Sequence, residues 1–235
     1  MTAPLVLEDI CRAFGRPPRR RDVLRGVSLR IRAGALVALV GPSGSGKTTL
    51  LRVAGTLDRP DAGSVHLSGV NVLSASTSEL ERLRRRDLAF VFQAGNLLDS
   101  LTAAENVELA LEGLGLDWRE RQRRVDEALG RLDVSRTAHR FPGELSAGEQ
   151  QRVAVARALA RRAPLILCDE PTAHLDEAAA RSLVQALLET CSSGASCLLA
   201  THDLHVVTKA HRLLRLRDGM LVEGESEDAR ASTTS

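Results

Sequence analysis

The chain has 235 residues, with 32 Lys and Arg against 30 Asp and Glu for a formal charge of +2. Hydrophobic residues make up 43%, enough for a sizeable core in one large α/β domain, or in one core with a lobe inserted into it. The near-neutral balance excludes a polybasic tail protein, and 2% aromatic residues argue against base stacking on an aromatic platform.

In chain order, Leu5-Val6-Leu7 is a short apolar run and residues 15–22 (GRPPRRRD) form a charged, Pro-containing loop. Val23 to Ile31 alternates as a strand, and Ala35 to Val40 is continuously apolar, the pattern of a buried strand. GPSGSGKTTL follows and opens a helix that must end near Pro60. Residues 63–73 predict a strand pair turning at Gly69-Val70, residues 76–86 a polar amphipathic stretch, and residues 88–93 a strand.

The character changes over residues 99–141. Thr102 with Glu105 three positions on predicts a capping box, and a second amphipathic helix carries Val125, Leu129 and Leu132 on one stripe. This stretch predicts a helical lobe inserted into an α/β core. The core resumes with a helix at about 148–161, strand 165–169, a helix at 177–190, strand 195–201 and a short helix after His202. Residues 212–225 predict a closing hairpin around Asp218-Gly219, and the last ten residues a frayed tail. No apolar run approaches the roughly 18 residues of a spanning helix, and no basic, then apolar leader precedes the first strand, so the chain is not expected to cross a membrane by itself. Cys11, Cys168, Cys191 and Cys197 form no C-x-x-C pair and are expected to be reduced, small apolar residues in a cytosolic protein.

Gly41-Pro42-Ser43-Gly44-Ser45-Gly46-Lys47-Thr48 is a complete G-x-x-x-x-G-K-[ST] between a buried strand and a helix, the context a phosphate cradle requires. The glycines let consecutive N–H groups face one concavity, Lys47 reaches terminal phosphates, and Thr48 is placed to ligate Mg²⁺. Only Lys47 and Lys209 are lysines, so the compact ammonium at 47 stands out in an arginine-rich chain. The strand at 165–169 ends in Asp169, placed to hold Mg²⁺, and Glu170 follows it, placed to polarise an attacking water. His202 ends another apolar strand, where a neutral imidazole can touch the terminal phosphate or orient Glu170, or serve structure alone. Ser146 sits where a helix begins, as its cap or as an anion contact.

The ordered set of GPSGSGKT, Gln93 in FVFQ, LSAGEQQR at 145–152, LILCDEP, AHLD at 173–176 and Thr201-His202 resembles an ATP-binding-cassette (ABC) ATPase subunit over residues 5–225. The resemblance implies a P-loop NTPase core with a mostly parallel sheet, an N-terminal antiparallel β subdomain and an inserted helical subdomain. It divides the chain into core 1–98 and 142–225, a helical subdomain of about 99–141 plus the start of the signature helix, and a tail from 226 to 235. It implies ATP and Mg²⁺ as ligands, with Gly41 through Thr49 around the phosphates and Phe14 in place of the aromatic that stacks on adenine. Thr48, Asp169 and Gln93 would serve the metal, and Lys47, Glu170 and His202 the hydrolysis.

It further implies a head-to-tail dimer, with a second copy or a paired ATPase subunit, in which Ser146 and Gly148 reach the partner's ATP and Asp176 lies in the loop at the interface. Gln93 would relay ATP state to separate membrane permease subunits that dock near it and the lobe at 99–141. That places the protein on the cytoplasmic face of the membrane, with no nucleic-acid partner. The stretch RRRDLAFVFQAGNLLDSLTAAENVELAL is similar to the subgroup serving lipoprotein release, macrolide or peptide export and the cell-division complex. A regulatory or assembly module, and an importer ATPase, are the alternatives. Three residues depart from the usual pattern: Ala147 and Glu149 within LSAGE, and His174 in the interface loop.

Overall fold

The computed structural model describes residues 3–16 and 18–223, so the tail expected at 226–235 lies outside the described residues. Its strands are β1 (Leu5–Phe14), β2 (Arg21–Ile31), β3 (Leu36–Val40), β4 (Ala62–Leu67), β5 (Val70–Asn71), β6 (Leu88–Val91), β7 (Leu165–Asp169), β8 (Ser196–Ala200), β9 (Arg212–Arg217) and β10 (Met220–Glu223). The α-helices are α1 (Lys47–Ala54), α2 (Thr77–Arg86), α3 (Ala103–Leu109), α4 (Trp118–Arg131), α5 (Ala147–Ala160), α6 (Glu177–Ser192) and α7 (Leu204–Lys209). An antiparallel sheet has the order β2-β1-β4-β5. A second sheet has the order β10-β9-β3-β8-β7-β6, parallel throughout except where β10 folds back on β9. This is the α/β class that the sequence predicts.

The apolar runs explain which strands are central. Every residue of LILCD in β7 and SCLLA in β8 is buried, as is LVAL in β3, because helices or the other sheet cover both faces. One core layer joins Leu39, Leu167 and Leu198 to α1 and to the antiparallel sheet through Leu50, Leu5 and Leu24. The opposite layer joins Ile166, Cys168 and Leu199 to α3, α4, α5 and α6. Burial pushes the Cys191 thiol up to about 12, and Cys197 is also raised, beside Cys168. These thiols pack as inert apolar side chains.

Local chemistry sets the helix starts. Thr102 and Glu105 form the expected capping box, with the Glu105 N–H donating to Thr102 Oγ1 at 3.3 Å and the Thr102 N–H to Glu105 Oε2 at 2.7 Å. Asp117 caps α4 in the same way through the Glu120 N–H at 2.8 Å. Val125, Leu129 and Leu132 are buried as one stripe against α5. Two arginines of α5 and a third at its C-cap then reach outward to backbone carbonyls. Arg152 donates to Leu132 and Asp133, Arg157 to Gly95 and Asn96 at 2.7 Å each, and Arg161 to Arg84, Arg85 and Ala110.

Several boundaries differ from the expected ones. β1 continues to Phe14 because backbone irregularities, with Asp9 at φ 50°, let it carry Glu8, Asp9 and Arg12 without breaking its pairing to β2. The α1 helix stops at Ala54, where the Gly55 N–H closes on Leu51 O, well before Pro60. β6 stops at Val91, so Phe92 and Gln93 leave the sheet. The β4–β5 turn falls at Ser68-Gly69, one residue early, with both at positive φ. The Asp218-Gly219 hairpin forms where expected.

Leu129 is 1% exposed between α4 and α5. Leu129→Ala is expected to lower unfolding free energy by about 2–5 kcal/mol in a urea titration, through lost burial plus a residual cavity.

Candidate functional site

Parallel pairing brings the carboxyl ends of β3, β8, β7 and β6 to one edge of the sheet. Open α/β sheets bind ligands at that edge. Gly41 to Gly44, Gly46 and Lys47 follow β3, His202 follows β8, Glu170 follows β7 and Gln93 follows β6. Together with Phe14 from β1 and with Arg21 and Val23 from β2, these residues line one cavity of about 650 Å³. Ser45, expected among the phosphate contacts, is turned inward and buried off the cavity wall.

The loop after β3 is closed by two demands on glycine. A Cβ at Gly41 would stand 2.2 Å from the Leu216 carbonyl oxygen, and Gly46 has φ +107° at the start of α1. No side chain caps α1 there, so its first N–H groups, with the positive end of the helix dipole, are free to bind an anion. The Lys47 Nζ donates to Gly41 O at 2.7 Å and Pro42 O at 3.4 Å. That holds the ammonium at the loop and leaves one of its three donors over.

Asp169 is 5% exposed. Burial raises its carboxyl above the ordinary range; the Thr48 hydroxyl opposes that shift, Glu170 adds to it, and Lys47 opposes it. Glu170 sits at φ 49° with its N–H on Ala200 O at 2.9 Å, so the turn after β7 is pinned to β8. His202 Nδ1 stands 2.9 Å from Glu170 Oε2. That oxygen is buried and has no aligned hydrogen-bond partner among the described residues. The imidazole is 77% exposed and the carboxylate side chain 12%, so the pair faces the cavity from its floor outward.

A buried carboxylate, a threonine hydroxyl and the Gln93 amide on one wall form an oxygen-donor set suited to a hard cation such as Mg²⁺. At the other end Phe14 is 43% exposed, and the Arg12 guanidinium lies 4.8 Å from its ring centroid. Arg12 is itself tied to Asp61 at 2.8 Å, whose carboxyl is held below its usual range first by the Ala13 N–H and then by Arg12.

The fold places the remaining candidates outside this cavity. Ser146 caps α5 in a capping box: its N–H and Oγ–H both donate to Glu149 Oε2 at 2.8 Å, and the Glu149 N–H returns to Ser146 Oγ at 3.2 Å. These bonds lower the Glu149 carboxyl. The substituted carboxylate is therefore occupied as a cap in this chain. Ala147 is the first residue of α5 and is not among the residues at positive φ, so its methyl costs no backbone strain. Asp176 caps α6 through the Ala179 N–H at 2.8 Å. A Cβ on Gly148 would stand 3.1 Å from His174 O, which sets the signature turn directly against the loop before Asp176.

Residues 24–173 match the ABC transporter family. The chain belongs to that family. As an ABC ATPase it is 43% identical over 220 residues to the lipoprotein-releasing system ATP-binding protein LolD of Paramagnetospirillum magneticum, covering 93% of this chain and 97% of LolD. It is 46% identical over 231 residues to the pyoverdine export ATP-binding/permease protein PvdT of Pseudomonas putida, covering 97% of this chain. It is 44% identical over 223 residues to the macrolide export ATP-binding/permease protein MacB of Hyphomonas neptunium, covering 94% of this chain. The aligned region makes up 35% of PvdT and of MacB, so the chain spans about a third of those two relatives. An ATP-binding cassette solved as a dimer after hydrolysis with ADP and Pi superposes with a TM-score of 0.87 at 36% identity, over 93% of this chain and 98% of the other.

The ABC family binds and hydrolyses ATP, and the cavity's polar wall is built of the residues its motifs contain. Arg21 and Val23 were not among the residues expected from the sequence. The signal was the pairing of Phe14 with Arg21 across β1 and β2, which stays hidden while β1 is read as ending at Leu7.

Ionised Asp169 is costly in the folded chain, so its favourable contribution is complete at acid pH and is lost as pH rises through its raised folded value. Asp169→Asn is expected to match the parent in denaturant stability near about pH 4 and to exceed it near about pH 8. Urea titrations of both proteins at the two pH values measure this.

Proposed function

We propose that this chain is the ATP-hydrolysing subunit of an export or lipoprotein-release type transporter. The observation that carries the reading is the convergence of the Gly41–Thr48 loop, Gln93, Asp169, Glu170 and His202 on one cavity. The relatives' names support the subgroup, since LolD belongs to a lipoprotein-releasing system and PvdT and MacB to export systems.

In this reading the adenine stacks on Phe14, on the ring face opposite Arg12. Gly41 through Thr49 hold the phosphates by backbone N–H groups, and the Lys47 ammonium turns from the Gly41 carbonyl toward the terminal phosphates. Thr48, Asp169 and Gln93 would hold Mg²⁺, which when bound would neutralise charge on the phosphate oxygens. Glu170 polarises a water for in-line attack and accepts its proton. His202, already 2.9 Å from the Glu170 carboxylate, orients it.

Ser146 and Gly148 lie outside the cavity of their own chain, at a helix N-terminus beside the Asp176 loop. We assign them to the ATP of a second copy, arranged head to tail, with Asp176 at the junction. The Ser146 hydroxyl would exchange its bond to Glu149 for a phosphate oxygen. Among the described residues no helix is long and apolar enough to cross a membrane. The membrane component is then a permease, which we dock in the groove of about 380 Å³ beside the Gln93 loop, lined by Leu57, Phe90, Phe92 and Ala110. Phe90 and Phe92 stack there at 4.3 Å. Residues 99–141 act as the lobe that flanks this groove, and the chain works at the cytoplasmic face of the membrane.

With an intact set of Lys47, Asp169, Glu170 and His202, turnover rather than binding alone is expected. Glu170→Gln should lower Mg²⁺-dependent ATP hydrolysis by about 10²-fold or more. It should also accumulate an ATP-bound dimer in light scattering. Hydrolysis near the parental rate in that variant contradicts the role given to Glu170.

A further inference from the structure

The cavity has two cationic side chains on its wall, Lys47 and Arg21. Arg21 lies in the charged run GRPPRRRD, where neighbouring Arg20 pairs with Asp22 at 3.3 Å. Arg21 differs from it. Among the described residues the bond its guanidinium makes is from Nη2 to the Gly44 carbonyl, at 3.4 Å. A bond of that length to a neutral acceptor is weak, so the guanidinium exchanges it at little cost.

Its position follows from strand register. Phe14 and Arg21 are direct partners across the antiparallel β1–β2 pair. Opposed residues of such a pair project to the same face of a sheet, with neighbouring side chains in reach of one another. Arg21 therefore stands beside the aromatic shelf and reaches to the middle of the phosphate loop. Its guanidinium lies between the place for the base and the place for the phosphates.

We propose that Arg21 is a nucleotide-binding residue that contacts the phosphate chain from the antiparallel sheet. This rests on the nucleotide site proposed above. Without ligand the wall carries Lys47 and Arg21 against Asp169 and Glu170, a balanced set. A nucleoside triphosphate adds several negative charges, more than a bound divalent cation offsets. A second cation on the wall reduces that excess, and a planar fork of N–H donors suits phosphate oxygens better than a point charge does. Val23, two residues on in β2 and also on the wall, keeps that side of the cavity apolar. Binding would then tie the antiparallel sheet to the phosphate loop through one side chain, in place of the long bond to Gly44.

The test compares the full chain with Arg21→Ala, Arg21→Gln and Arg21→Lys, with Arg20→Ala as a neighbouring exposed control. Dissociation constants for Mg-ATP and Mg-ADP are measured calorimetrically at low and high salt, and thermal midpoints without nucleotide report folding. Arg21→Ala and Arg21→Gln are expected to weaken both nucleotides by about tenfold with a shallower salt dependence. Arg21→Lys should recover part of the affinity, through its charge but without the guanidinium fork, and Arg20→Ala should behave as the parent. Affinities within twofold of the parent in Arg21→Ala overturn the proposal. So does a loss in which the salt dependence is unchanged and lysine fails to restore binding, because that places Arg21 in the shape of the pocket rather than its charge. A parent chain that binds neither nucleotide overturns the nucleotide site itself, and the inference with it.

Discussion

The structure depends on parallel register. Because β6, β7, β8, β3 and β9 run the same way, the chain leaves four of these strands for the active-site edge at the same height. Chemistry-bearing residues separated by more than a hundred positions, such as Lys47 and His202, thus line one cavity. Parallel strands require both faces to be covered, and here the antiparallel sheet with α1 covers one while α3 to α6 cover the other. The site is therefore built at the rim of a close-packed core. Its acidic floor is desolvated as a consequence, which is why the Asp169 carboxyl is raised.

Helix α5 connects this site to the rest of the molecule. Ser146 caps its start and Gly148 lies in its first turn, while Arg152 and Arg157 lie in its later turns and Arg161 at its C-cap. Among the described residues the bonds of these three guanidinium groups go to main-chain carbonyls at the end of a helix or in a loop. Arg157 forks onto Gly95 and Asn96, both at positive φ and two and three positions after Gln93. A displacement of α5 thus moves the Gln93 loop with it, because the linkage is two short bonds from one planar group. Burial lowers the pKa of Arg157, while the group stays charged.

The phosphate loop was legible because its glycine positions answer backbone demands that no other residue meets. The buried strands were legible because unbroken apolar runs occur where both faces are covered. Thr102 with Glu105 declared its helix through complementary hydrogen bonding. By contrast, the length of β1 was concealed by Glu8, Asp9 and Arg12, which interrupt the apolar alternation where the strand's register shifts. That concealment carried Arg21 with it, since its pairing with Phe14 is a long-range fact. Glu149 was harder still. Only the coordinates distinguish a carboxylate that repels a phosphate from one already held by the Ser146 N–H and hydroxyl. The roles proposed for Ser146, Gly148 and Asp176 need a second copy, so a single chain's sequence leaves them to the resemblance alone.

The central proposal is a division of labour in which each chain would supply the phosphate loop to its own nucleotide and the α5 N-terminus to its partner's. Mixing two inactive chains tests it directly. One carries Lys47→Ala and lacks the loop cation, and the other carries Ser146→Arg and blocks the turn before α5. If the pairing is head to tail, a mixed dimer contains one site with both parts intact. Equal amounts should then recover about a quarter of the parental ATPase rate, since about half of the dimers are mixed and each has one working site. A mixture that stays as inactive as either variant alone, while light scattering shows that mixed dimers form, contradicts the account.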